Sequence, residues 1–168
     1  FGDIMLLQKI KREKWISFIV ESFANTKKEI APDLAELIPT LMQDHSWYVQ
    51  QLAHYTWQKT KKKATKREVQ LAFSELIDAN SPLYMREVEG LSVTQLNFLK
   101  AVAKKEGKLS SMEILLKYRL GTSANVVKNK AILLKADILD EFNGKLSFLD
   151  PAFEYWFLRQ YFRQEKMI

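Results

Sequence analysis

The sequence predicts a mainly α chain: a helical bundle followed by a winged helix-turn-helix with a small β-hairpin. Three observations carry this. Apolar residues recur at helical spacing through the first half, beginning with Trp15, Ile16, Ile19, Val20 and Phe23. The second half holds three shorter helical patterns with a glycine turn, Gly121, between the second and third. After them, Asn143-Gly144 sits between "ILDEF" and "KLSFL", a strong two-residue hairpin signal. Three helices and then a hairpin is the order of a winged helix-turn-helix.

In the first half, Leu34, Leu37, Ile38 and Leu41 form a second helical set after a start at Pro32, and Pro39 is expected to kink or shorten it because it lacks an N–H. A third helix starts at Ser46 and buries Val49, Leu52, Ala53 and Trp57. A fourth starts at Thr65, with Glu68 completing a capping box, and buries Val69, Ala72, Phe73, Leu76 and Ile77. The lysine run "KTKKKATK" between them reads as a solvated loop. Asn80-Ser81-Pro82 is expected to break the pattern before a short connecting helix that ends near Gly90. The division falls at residues 1–87 and 88–168.

In the second half, Ser92 with Gln95 caps a helix carrying Leu96, Leu99, Val102 and Ala103, and Gly107 ends it. Ser110 with Glu113 caps another, carrying Ile114, Leu115 and Tyr118. A third starts at Thr122 or Ser123 and runs to about Ala136. Phe142, Leu146 and Phe148 belong to the hairpin. Asp150-Pro151 caps a last helix that buries Phe153, Trp156, Phe157 and Tyr161.

With 168 residues, 47% of them hydrophobic, the chain can bury one good core or two small ones. It has no cysteine and two histidines, His45 and His54, which excludes disulfides and thiolate metal sites and leaves little for zinc. No metal site is expected, and a reducing, cytoplasmic setting fits. No apolar run reaches the roughly 18 residues of a membrane span, so no membrane partner is expected. The chain begins without Met, in mid-pattern, and reads as a piece of something larger. Residues 91–168 carry 13 Lys/Arg against 8 Asp/Glu, whereas residues 1–90 carry 13 against 12, so most of the net +6 lies in the second half. That asymmetry suits a nucleic-acid module.

The stretches "EKWISFIVESF", "HSWYVQQLAHYTW", "NSPLYMREVEGLSVTQLNFLKAVAKKEG", "GTSANVVKNKAILLKADIL" and "GKLSFLDPAFEYWF" resemble the C-terminal part of bacterial ATPases of the archaeal-type AAA+/STAND group. The resemblance covers nearly the whole chain and is most specific from Asn80 to Phe157. It implies a lid-like helical domain over residues 1–87, a winged helix beyond, and a nucleotide domain preceding them in the parent protein, with Phe1 to Asp3 the tail of its last strand. ATP and Mg would belong to that parent. No G-x-x-x-x-G-K-[ST] occurs in the chain, so no catalysis, nucleotide binding or cofactor is expected of it alone. His45 and Ser46 stand where related proteins place a nucleotide-proximal segment. Ser46 replaces a frequent Pro, and no Arg there can act as a sensor. The alternative reading makes His45 an ordinary residue ahead of a helix, with Trp47 and Tyr48 as packing.

A recognition helix needs polar or basic groups in its first turns and a basic wing on the backbone. Ser123, Asn125, Lys128, Asn129 and Lys135 on the third helix, with Lys145 on the hairpin, are the candidates for double-stranded DNA. Lys130 and Arg119 could add phosphate contacts. Val126 and Leu133 are expected inside, which leaves Val127 and Ala131 outside beside Lys128, a partly apolar face that suits a protein partner or an unused surface equally well. DNA binding is the first reading, and protein interaction or self-association the alternative. The aromatic last helix could stack single-stranded bases beside Arg159 and Arg163, but reads better as core, with Tyr155 and Phe162 off the stripe. None of the constellations of hydrolytic chemistry is present.

Overall fold

The computed structural model describes residues 10–162. Phe1 to Asp3 and Arg163 therefore lie outside the described residues. The described residues are mainly helical, with one small antiparallel hairpin near the C-terminal end. No helix among the described residues is long and apolar enough to cross a membrane.

The residues fall into two compact units, one ending at Ala79 and the other beginning at Asn80, earlier than the expected division at 87/88. The first unit holds α1 (Arg12–Ala24), α2 (Pro32–Leu41), α3 (Ser46–Lys59) and the start of α4 (Lys66–Glu89). Its core joins Trp15, Ile19 and Phe23 of α1 to Ala35, Ile38 and Leu41 of α2, Val49 and Leu52 of α3, and Val69, Phe73, Leu76 and Ile77 of α4. α2 continues two residues beyond the buried Pro39 before it ends. On α3, Tyr48 and Thr56 are buried, while Ala53 and Trp57, expected inside, are half-buried. Thr65 N and Oγ1 donate to Glu68 Oε2 at 2.8 and 2.5 Å, the reciprocal cap that opens α4.

The expected break at Asn80-Ser81-Pro82 does not occur. α4 runs unbroken to Glu89 with Pro82 inside it, although an interior proline costs a helix about 3 kcal/mol. Packing around the proline explains its tolerance. Trp156 Nε1 donates to Ser81 Oγ at 2.9 Å, and the buried Tyr84 stacks on Phe153 at 5.1 Å. Tertiary contacts thus override the local signal.

The second unit continues with α5 (Val93–Ala103), α6 (Met112–Tyr118), α7 (Ser123–Lys135), β1 (Leu139–Phe142), β2 (Lys145–Phe148) and α8 (Pro151–Phe162). Ser92 and Gln95 form the expected capping box. α5 ends before Gly107, at Lys104, with Lys105 taking the left-handed conformation. α6 is capped by Ser111, one residue later than expected, and its hydroxyl accepts from Ile114 N. The hairpin pairs Leu139 with Phe148 and Phe142 with Lys145. Asn143 and Gly144 both have positive φ, 50° and 74°, as a two-residue turn of this kind requires. Asp150 Oδ1 accepts from Ala152 N and Phe153 N, with Pro151 as the first helical residue.

One carboxylate gives this unit an acid-side dependence. Glu106 accepts from Lys117 Nζ at 2.6 Å and Tyr118 OH at 2.8 Å, and these bonds, the lysine's first, hold its pKa below the ordinary carboxylate value. A group depressed on folding adds stability that is present above its unfolded pKa and lost as pH falls through the folded one. Urea unfolding between pH 6 and 3 should therefore show stability falling with acid, and falling less steeply in Glu106→Gln.

Candidate functional site

The outer face of α7 is where the sequence places the contact with DNA or protein. Thr122 and Asn125 build its start. Thr122 Oγ1 accepts from Asn125 N at 3.3 Å, and Asn125 Oδ1 accepts from Thr122 N at 3.0 Å and from Thr122 Oγ1 at 2.6 Å. Asn125 is therefore committed to the cap, which satisfies backbone groups the helix end leaves open.

Asn129 does not face outward. It is 6% exposed and lies inward with Val126 and Leu133, at positions three and four residues apart on one side of the helix. Its Nδ2 is buried and donates no hydrogen bond among the described residues. A bidentate reading of adenine needs an amide that is both exposed and free; Asn129 is buried, and Asn125, though exposed, has its Oδ1 taken up by Thr122.

The exposed face consists of two rows, Ser123-Val127-Ala131-Lys135 and Ala124-Lys128-Ile132. Val127 is 66% exposed. Lys128, Lys135 and Lys145 are exposed and form no ion pair among the described residues. Lys130, by contrast, donates to Glu141 Oε1 of β1 at 2.6 Å and is spent on the wing. Arg119 is exposed at the end of α6 with a left-handed φ of 53°. The wing is not basic. β1 exposes Asp140 and Glu141 against the single Lys145 of β2, and at its tip Phe142 is 74% exposed. α6 adds Met112 and Leu116, one turn apart and both exposed.

α8 closes the core. Phe153, Trp156 and Phe157 are buried, with Phe148 at 5.5 Å from both Phe153 and Phe157. Aromatic faces packed this way cannot stack bases. Tyr161 packs on Phe157 at 4.5 Å, Phe162 lies under Lys104 Nζ at 4.2 Å, and burial raises the pKa of Tyr155.

In the first unit, His45 is the N-cap of α3 and offers it no side-chain cap, while Ser46 opens the helix. The His45 ring packs 5.1 Å from the buried Tyr48, and its Nδ1 is buried without a hydrogen bond among the described residues. Gln43 and Asp44 ahead of it both have positive φ, and Asp44 is gripped by Arg12 through bonds of 3.0 and 2.6 Å. Trp47 is 63% exposed.

No protein-family model, curated protein or solved structure matches the chain.

Proposed function

We propose that this chain is the non-catalytic C-terminal part of a cytoplasmic ATPase resembling the archaeal-type AAA+/STAND group. The helices up to Ala79 would serve as a lid for the nucleotide domain of the same protein, where ATP and Mg would be bound. The unit from Asn80 onward would be a winged helix that docks on protein, another copy included. The observation that carries the docking reading is the outer face of α7. It presents Val127, Ala131 and Ile132 beside Lys128 and Lys135, while both asparagines suited to base edges are engaged or buried. Exposed apolar side chains in one region mark protein-binding surfaces more often than DNA-reading ones.

A second reading, non-specific contact of α7 with duplex DNA, is favoured by Lys128, Lys135 and Lys145, exposed and outside any ion pair among the described residues. Fluorescence anisotropy against a random-sequence duplex at about 50 mM salt separates the two. On the docking reading, joint replacement of these three lysines by Ala changes duplex affinity by less than about twofold. If α7 lies on DNA, losing three phosphate contacts costs at least about tenfold.

A further inference from the structure

Residues 61–67 read Lys-Lys-Lys-Ala-Thr-Lys-Arg, and as sequence such a run is a solvated loop. The structure holds it in place. Glu29 N donates to Lys62 O at 2.8 Å and Ala64 N donates to Glu29 O at 2.8 Å, which pairs Glu29 with Lys63 in a short parallel bridge. Ala64 is buried, and the Thr65–Glu68 cap fixes the far end. Lys61, Lys62, Lys63, Lys66 and Arg67 all remain exposed on this pinned backbone.

The backbone is held by the Glu29 bridge, Ala64 and the Thr65–Glu68 cap, but the concentration of positive charge on it is unfavourable. Lys66 and Arg67 occupy the first turn of α4, where the helix dipole is positive and cations are disfavoured. Like charges on a fixed backbone also repel one another more than they would on a slack one. Glu29 and Glu68 lie beside the run, and Glu68 interacts favourably with Arg67, but among the described residues none of the five forms a salt bridge.

The patch itself is polar, and the nearest exposed apolar side chain on α4 is Leu71, 49% exposed one turn after Arg67. From Gln58 to Gln70 the apolar side chains, Ala64 and Val69, are buried, and everything exposed is polar. Protein docking sites are centred on aromatic or aliphatic anchors, and lasting membrane attachment needs an apolar or acyl component beside the charges. A phosphodiester backbone needs only fixed cations and hydrogen-bond donors.

From these observations we infer that the α3–α4 connection is a binding site for the nucleic-acid backbone. It is contacted without sequence preference by Lys61, Lys62, Lys63, Lys66 and Arg67. This site is independent of the α7 face and stands whether α7 docks on protein or on DNA.

The test is anisotropy of the whole chain with a labelled random-sequence duplex. Each phosphate contact contributes about −0.9 to the slope of log affinity against log salt. Three to five contacts therefore lower affinity about 40- to 500-fold between 50 and 200 mM salt. The triple variant Lys61→Gln/Lys62→Gln/Lys63→Gln should lose at least about tenfold at 50 mM and show a flatter salt slope. Lys14→Gln/Lys105→Gln/Lys108→Gln removes the same net charge elsewhere and should change affinity less than about twofold, with circular dichroism melts showing both variants folded. Equal losses in the two triple variants would overturn the proposal. So would an absence of duplex binding at 50 mM, or binding to phosphatidylserine vesicles with none to the duplex.

Discussion

Phe157→Ala should lower the stability of the C-terminal unit by about 3–5 kcal/mol, the range for deleting a fully buried aromatic side chain. Phe157 has no exposed surface and lies where the hairpin and α8 meet, with ring centres of Phe148, Phe153 and Tyr161 within 5.5, 6.0 and 4.5 Å. The loss has two parts: apolar surface returned to water in the unfolded reference, and a cavity that neighbouring rings on separate elements cannot refill. Each lost aromatic pair adds about 0.5–1.5 kcal/mol. Phe142→Ala is the matched control. Phe142 is 74% exposed on the hairpin, and its loss should change stability by no more than about 0.5 kcal/mol. Urea unfolding followed by far-ultraviolet circular dichroism checks both.

The second large effect is expected at the turn into α7. Gly121 has a φ of +83°, and a Cβ there would lie 2.9 Å from Asn125 Oδ1, the atom that closes the Thr122 cap. Gly121→Ala therefore meets two costs. The left-handed backbone costs a residue with a side chain about 1–2 kcal/mol. Displacing the asparagine costs about 1 kcal/mol of capping. Together the loss should be about 2–3 kcal/mol. In an Asn125→Ala background the Oδ1 bonds to Thr122 are already gone, although Thr122 Oγ1 still accepts from the backbone N at 125, so Gly121→Ala should cost only its backbone part. The same urea measurement on the four members of this cycle gives the coupling. Strict additivity would show that Asn125 has no role in holding the turn.

Much of the architecture was legible in local chemistry. Asn143-Gly144 demanded two positive φ values, Asp150-Pro151 demanded a helix start, and Ser92 with Gln95 demanded a cap, and each stands where expected. Asn80-Ser81-Pro82 misled because its local cost is offset by Tyr84 and Ser81 packing against α8, contacts far apart in sequence. On α7 the local signals conflict. Asn129 falls three residues after Val126 and four before Leu133, so helical spacing already placed it inside, and only its polarity suggested a groove contact. Asn125 stands where a capping box usually has Glu or Gln, and its shorter amide makes the same reciprocal bond to Thr122. The acidic character of the hairpin is legible in "LDEF", whose Asp140 and Glu141 outnumber the single Lys145.

These corrections bear on one claim, that the α7 face meets protein. Site-specific photocrosslinking from position 127 in cells tests it most directly, with a benzophenone side chain replacing Val127. The docking reading predicts covalent adducts that protease removes and nuclease does not, and that are lost when Ile132→Glu is added. Adducts removed by nuclease would contradict it and return α7 to the groove.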